Sequence, residues 1–104
     1  MKLGVSIGAA PTSAGAIAGL RLATEAAKAG HGAFVYLIGD GAGLVSGQEA
    51  ALASFISAGG KLFICAYSCQ KRGLPSAGVP EATYCGLVVL SDILKSCDRF
   101  VAFN

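Results

Sequence analysis

The sequence predicts an α/β domain of three layers, in which a mainly parallel β-sheet lies between helices on both of its faces. Short apolar runs rich in β-branched and aromatic residues alternate with longer segments of helical periodicity, a pattern typical of parallel strands joined by crossover helices. The chain has 104 residues, which suits one domain with one core. We therefore expect a single domain over residues 1–104.

The first two strands are predicted over residues 3–8 (LGVSIG) and 33–38 (AFVYLI), which are apolar runs bounded by glycine or polar residues. The helix between them is expected to begin at Ser13, a residue type that caps helices, and to end at Ala29, before Gly30. Three residues are assigned to its inner face: Ile17, Leu20 and Ala27.

The second helix is expected to begin near Ser46, because Ser46 and Glu49 have the spacing of a capping box. It should end at Gly59 and Gly60 and lead into the third strand, residues 61–65 (KLFIC). Its apolar stripe consists of Leu52, Phe55 and Ile56.

The third helix should stop near Ser96, just before the last strand at residues 99–103 (RFVAF). Its apolar residues recur at helical spacing: Leu87, Leu90, Ile93 and Leu94. Reactive groups and ligands in parallel sheets gather beyond the carboxyl ends of the strands. The loops that follow the strands are therefore the places to search for a site.

The composition indicates that the chain associates with other protein subunits rather than with nucleic acid. Apolar residues make up 54% of the chain and charged residues 13%, against a usual charged share of about a quarter. Some apolar surface is therefore expected to be covered by other subunits. The net charge is only +2 and the basic residues are scattered, so we expect no nucleic-acid partner.

The beginning of the chain predicts neither an export signal nor a membrane span. Lys2 precedes a mostly uncharged stretch, but Pro11, Thr12 and Ser13 interrupt it after about seven residues, which is too short for either role. We therefore expect a soluble, cytoplasmic protein. The four cysteines would then meet a reducing compartment, where structural disulfides are rare and reactive thiols are the natural special use.

Two glycine-containing loops offer little support for a bound cofactor. Residues 8–16 (GAAPTSAGA) are similar to a phosphate cradle but lack the Gly-Lys-Ser/Thr ending, so a turn followed by a helix cap is favoured. Residues 39–43 (GDGAG) lack the third glycine of the dinucleotide motif, and a flexible loop is favoured. The cysteine spacings do not suit a metal site and His31 is expected to be structural or solvated, so no cofactor or metal is predicted.

The loop after the third strand carries the strongest chemical signal. Residues 63–74 (FICAYSCQKRGL) place Cys65 at a strand end, where its side chain can face solvent and turn amides can point toward its sulfur. Lys71 and Arg72 supply cations, which together with such amides lower the pKa of a thiol. A thiolate of this kind attacks or accepts electrophilic or sulfane sulfur at neutral pH.

The other cysteines are less informative. Cys69 is separated from Cys65 by three residues, not by the two of a thioredoxin-like pair. Two alternatives stay open for it: a packed thiol, which is favoured, and a resolving or second thiol for Cys65. Cys97 is expected to be structural and Cys85 inert.

Together these features resemble the DsrE/DsrF/TusD-like family of sulfur-relay sulfurtransferases. The family's strand-end cysteine, its small-residue stretch and its Arg-Gly are similar to Cys65, AYSCQK, Arg72 and Gly73. The ending SCDRFVAF, preceded by GLVVLSDILK, is similar to the family's closing Cys-Asp-Arg before a final strand. AGHGAFVYLIGDGAGLV is similar to its helix end, strand and Asp-Gly loop.

The resemblance implies a flavodoxin/Rossmann-like, DsrE-like fold and a persulfide on Cys65 that passes sulfane sulfur between donor and acceptor proteins. It also implies a homo- or hetero-oligomer, a trimer or hexamer. If the protein is an enzyme, it is then a cysteine-persulfide sulfurtransferase. Two other functions stay open: a flavodoxin-like small-molecule or nucleotide-binding module, and a catalytically silent subunit of a hetero-oligomer, since some relatives lack the cysteine.

Overall fold

Five parallel strands form one sheet in the computed structural model, which describes all residues 1–104. The strand order is β4-β3-β2-β1-β5, and every neighbouring pair is parallel. The strands are β1 (Lys2–Ile7), β2 (Gly32–Leu37), β3 (Lys61–Cys65), β4 (Thr83–Cys85) and β5 (Arg99–Phe103). The predicted α/β class with a parallel sheet is confirmed, and the four predicted strands are found. β4 was not predicted.

Five α-helices and one 3₁₀ helix connect the strands. The helices are α1 (Ala14–Lys28), α2 (Leu44–Gly47), α3 (Glu49–Ser57), α4 (Ala66–Lys71) and α5 (Leu87–Ser96), and the 3₁₀ helix spans Gly39–Gly43. None of these helices combines the length and the apolar character needed to cross a bilayer.

The helices cover the two faces of the sheet unequally. The connections from β1 through β4 move along the sheet in one direction, whereas α5 returns across it to β5. Because crossover connections are right-handed, this reversal places α5 on the face opposite α1 and α3. The larger core lies under α1 and α3 and includes Val5, Val35, Leu37, Leu52, Phe55 and Ile64. The smaller one, under α5, is built around Tyr36, Cys65 and Ile93.

The structure shows whether the two predicted helix caps, Ser13 and Ser46, are present. Ser13 caps α1 as expected, because its Oγ accepts a hydrogen bond from the Ala16 amide at 3.1 Å. The capping box at Ser46 is wrong. Ser46 lies inside α2 and its hydroxyl donates to the Gly43 carbonyl, while α3 starts after Gln48 without a side-chain cap. The spacing of Ser46 and Glu49 did not predict the helix start correctly, because a separate short helix, α2, precedes α3.

Two further expectations about packing are wrong. Ile17 is 41% exposed, so its assignment to the inner face of α1 is wrong. The other two residues assigned to that face, Leu20 and Ala27, are buried as predicted, together with Ala16 and Ala23. The segment GDGAG is not a flexible loop, because Gly41 and Ala42 are buried within the 3₁₀ helix. A Cβ at Gly41 would overlap the Ile7 carbonyl. Close packing on the end of β1 therefore explains this glycine.

Candidate functional site

A pocket lies at the carboxyl end of the sheet, beside the ends of β2 and β3. Its volume is about 420 Å³. Four segments meet there: the chain that follows β2, the last residue of β3, α4 and the start of α5. The lining residues are Ile38, Gly39, Cys65, Tyr67, Ser68, Lys71, Arg72, Gly86 and Leu87. The pocket thus contains the cysteine and both basic residues that the sequence singled out.

Cys65 lies at the inner end of this pocket and is only 4% exposed. The expectation that its side chain faces solvent is therefore wrong. The reason is that α4 begins at the very next residue and turns the chain back over the strand end. On its other side Cys65 packs with Tyr36 and Ile93 beneath α5. A reaction partner would have to reach this sulfur through the pocket.

Neutral hydrogen-bond donors govern the ionisation of Cys65. Burial is the largest influence and by itself would raise the pKa of the thiol. Polar neighbours that favour the thiolate outweigh it: the hydroxyl and amide of Ser68, the phenol of Tyr36 and the amide of Tyr67. The net pKa is lowered from that of an ordinary thiol, so a larger share of Cys65 is thiolate at neutral pH.

Ser68 is held in place for this role by the backbone of the neighbouring strand end. Its Oγ accepts a hydrogen bond from the Gly39 amide at 2.9 Å. Since that bond uses an oxygen lone pair, the hydroxyl proton stays available for donation to the Cys65 sulfur. Ser68 is buried, which protects both contacts from competing water. The end of β2 therefore orients a donor for the cysteine at the end of β3.

Lys71 and Arg72 lie at the rim of the pocket, and neither is among the groups that lower the pKa of Cys65. The Arg72 guanidinium donates to the Asp40 carboxylate at 2.9 Å and to the Ser68 carbonyl at 3.2 Å. It thereby ties α4 to the 3₁₀ helix. The Lys71 ammonium lies 5.7 Å from the Tyr67 ring centre and forms no salt bridge.

Cys69 is fully buried in the larger core, on the opposite face of the sheet from the Cys65 side chain. Burial, and then the nearby Cys65, raise the pKa of the Cys69 thiol, while Arg72 lowers it in part. Of the two alternatives left open by the sequence, the packed thiol agrees with this placement. Cys97 is half-buried, at the entry to β5.

Tyr36 is a site residue that the sequence analysis missed. Its ring is fully buried, its single hydroxyl proton is donated to the Gly86 carbonyl at 2.9 Å, and the hydroxyl also lies beside the thiols of Cys65 and Cys85. Burial, and then the charges of the two cysteines, raise the pKa of Tyr36, so the phenol stays a neutral donor at physiological pH. Gly86 is fifty residues away in sequence, and no local pattern indicates this contact.

The remaining titratable groups form no further site. No group of three or more histidine, cysteine, aspartate or glutamate side chains comes close enough to hold a metal ion. His31 is exposed at the entry to β2. The segment GAAPTSAGA is a turn whose Ser13 caps α1, as its favoured interpretation predicted.

Replacing Ser68 with alanine should slow the alkylation of Cys65 and move its pH profile to higher pH. The variant loses a donor to the thiolate, so the pKa of Cys65 rises and less thiolate is present at neutral pH. Hydrogen bonds to charged groups contribute about 1.5–3 kcal/mol, so a rate loss on the order of tenfold is expected at neutral pH. The measurement is the rate of iodoacetamide labelling at Cys65 against pH.

The exposed Ser57→Ala in α3 is the matched control and should leave the profile unchanged. The thermal unfolding midpoint of Ser68→Ala should be measured alongside, because the Gly39 amide also loses its partner. An unchanged pH profile in a folded Ser68→Ala protein would contradict a role for this hydroxyl in stabilising the thiolate.

The fold and the pocket define a doubly wound α/β protein whose candidate reactive group is a cysteine at a strand end. The chain belongs to the DsrE/DsrF-like family, whose sequence model matches residues 1–103. Its structure is similar to the crystal structure of the YchN protein from E. coli, with a TM-score of 0.84 and 18% identity over 99% of each chain. No curated protein is significantly similar to it in sequence.

Proposed function

We propose that this protein carries sulfane sulfur as a persulfide on Cys65 and passes it between thiols of partner proteins. The observation that carries the proposal is the Cys65 thiol itself. It is buried at the inner end of a pocket and is surrounded by donors that favour the thiolate. Membership of the DsrE/DsrF-like family supports a place in a sulfur relay.

The transfer needs only a nucleophilic thiol that is also a good leaving group. The Cys65 thiolate attacks the outer sulfur of a donor persulfide, the sulfur–sulfur bond of the donor breaks, and the donor thiolate leaves with the electron pair. An acceptor thiolate then attacks the outer sulfur on Cys65, and the Cys65 thiolate leaves. Because a thiol of lower pKa leaves faster, the donors around Cys65 favour this second step.

The rim of the pocket supports an approach by an anionic partner group. Thiolates and persulfides carry negative charge, and Lys71 and Arg72 both line the opening. Arg72 is already paired with Asp40, whereas Lys71 forms no salt bridge. We assign to these two residues the role of attracting the incoming anion through their positive charge, with Lys71 as the more available of the two. Stabilisation of the Cys65 thiolate, which the sequence also predicted for them, is assigned instead to Ser68, Tyr36 and Tyr67.

An oligomer, a trimer or hexamer of identical or related subunits, completes the proposal. Several large apolar side chains on α4, on α5 and on the edge strand β5 are exposed. They are Tyr67, Leu87, Val88, Leu94 and Val101, with 37% to 76% exposure. Exposed apolar side chains of this number support burial against other subunits.

The experiment that tests the proposal is intact mass spectrometry after incubation with a sulfane-sulfur donor, followed by mapping of the modified peptide. One added sulfur atom on the peptide that contains Cys65, removed again by an acceptor thiol, is the expected result. Loading on a different cysteine, or no loading at all, would contradict it. A nucleotide or flavin that co-purifies with an unloaded protein would instead favour the small-molecule binding module.

A further inference from the structure

Cys85 lies directly beside Cys65 in the sheet. The two residues are Cα partners in the parallel pairing of β3 with β4. Neighbouring strands are about 4.8 Å apart, which falls within the Cα separation of about 4.4–6.8 Å found for disulfides. Partners in a parallel pair project to the same face, and both cysteines pack in the smaller core under α5. The two thiols are therefore immediate neighbours.

Both thiols also have Tyr36 as a common neighbour. The Tyr36 hydroxyl influences the pKa of each of them, which agrees with their placement side by side. Burial raises the pKa of Cys85, and the nearby charge of Cys65 raises it further, whereas the Tyr36 contact lowers it in part. The pair thus consists of one thiol that ionises readily and one that is mostly protonated but more nucleophilic when it ionises.

The position of Cys85 gives it freedom that Cys69 lacks. β4 has three residues, forms the edge of the sheet and pairs only with β3. Cys85 is half-buried. Cys69, in contrast, is fully enclosed in the core on the other face. A small shift of a short edge strand can bring Cys85 to the Cys65 sulfur, whereas Cys69 would have to leave its core.

We propose that Cys85 is the resolving thiol of Cys65. When the Cys65 sulfur carries a leaving group, the Cys85 thiolate attacks that sulfur and closes a disulfide between β3 and β4. If the group is a persulfide sulfur, a case that rests on the proposed function, the sulfur–sulfur bond on Cys65 breaks and hydrosulfide leaves with the electron pair. If it is glutathione, from glutathione disulfide, the glutathione thiolate leaves. The Cys85 proton goes to solvent, and the persulfide or glutathione disulfide supplies the oxidising equivalent.

The first test uses glutathione disulfide and does not depend on sulfur transfer. The folded protein is treated, free thiols are alkylated, and a tryptic digest is analysed without reduction. Cleavage after Lys61, Lys71 and Lys95 puts Cys65 and Cys69 in one peptide and Cys85 in another. A disulfide that joins these two peptides, and that persists in Cys69→Ser, is the expected result. A disulfide within peptide 62–71, or one between two chains, would overturn the proposal.

Cys85→Ser should lose the linked peptide entirely and stop at a mixed disulfide with glutathione. Cys97→Ser is the matched control, because Cys97 is also half-buried and packs in the same smaller core; it should form the link as the wild type does. An intramolecular disulfide at wild-type yield in Cys85→Ser would overturn the proposal.

The second test starts from protein treated with a sulfane-sulfur donor. A persulfide on Cys65 should decay with release of hydrosulfide and appearance of the same linked peptide in the wild type, and should persist in Cys85→Ser. If glutathione disulfide produces the link but no persulfide ever forms, the proposed function fails and the resolving pair stands. If a persulfide forms but neither route produces the link, the resolving role of Cys85 is wrong and the carrier function stands.

Discussion

Cys65→Ser is expected to abolish sulfur loading, whereas Cys69→Ser should load like the wild type. A serine hydroxyl has nearly the shape of the thiol and can accept the same donors from Ser68 and Tyr67, so the fold should persist. It does not ionise at neutral pH, however, and so supplies no nucleophile. Cys69 is enclosed in the larger core, and its thiol is not needed for attack through the pocket.

The measurement is the fraction of protein that gains one sulfur atom, followed over time and at several pH values. In the wild type, loading should continue at pH values below the pKa of an ordinary thiol, because the lowered pKa of Cys65 keeps thiolate present there. Unfolding midpoints of both variants serve as the control for folding. Wild-type loading in Cys65→Ser would show that Cys65 is not the carrier.

Gly41→Ala should cause the largest loss of stability among single methyl additions in this chain. The added Cβ would overlap the backbone carbonyl of Ile7. Ile7 cannot move aside easily, since it is paired with Leu37 on one side and Phe103 on the other. Overpacking of a rigid site typically costs about 1–3 kcal/mol and sometimes more, and we expect a cost of at least about 3 kcal/mol here. For a domain of this size that is a fall of roughly 10–20 °C in Tm.

Gly15→Ala provides the same chemical change in the opposite setting. Gly15 is in the first turn of α1, and its added Cβ would meet only Ala9, at 3.8 Å. Because alanine favours the helix over glycine by up to about 1 kcal/mol, Gly15→Ala should be neutral or stabilising. The measurement is the thermal unfolding midpoint of Gly41→Ala and of Gly15→Ala, determined in parallel. Equal midpoints would mean that Gly41 is not packed against the Ile7 carbonyl.

The parts of the fold that could be predicted are those with a local signature. Two strands were predicted because they are apolar runs of ordinary strand length, residues 33–38 and 61–65. The start of α1 was predicted because Ser13 is a residue type that caps helices and precedes a helical pattern. β4 escaped because three residues, Thr-Tyr-Cys, carry no hydrophobic period. α4 escaped because its six residues are too few for an amphipathic pattern.

The candidate site also contains one residue that the sequence could identify and others that it could not. Cys65 could be selected from its place at a strand end, but its burial depends on α4 and α5, which pack on it from different parts of the chain. Tyr36 and Cys85 could not be selected. Their roles arise from contacts of the second strand with residues near position 85, and such contacts exist only once the strand order is known.

The place of β5 beside β1 has a consequence for synthesis on the ribosome. β1 is made before the other four strands of this sheet, yet one of its two edges stays unpaired until residues 99–103 have emerged. An exposed strand edge is a template for pairing with other chains. The residues that line the pocket lie between positions 38 and 87, and Ile93, which packs on Cys65, also precedes β5. All the parts of the cysteine site are therefore synthesised before the strand that completes the pairing of β1.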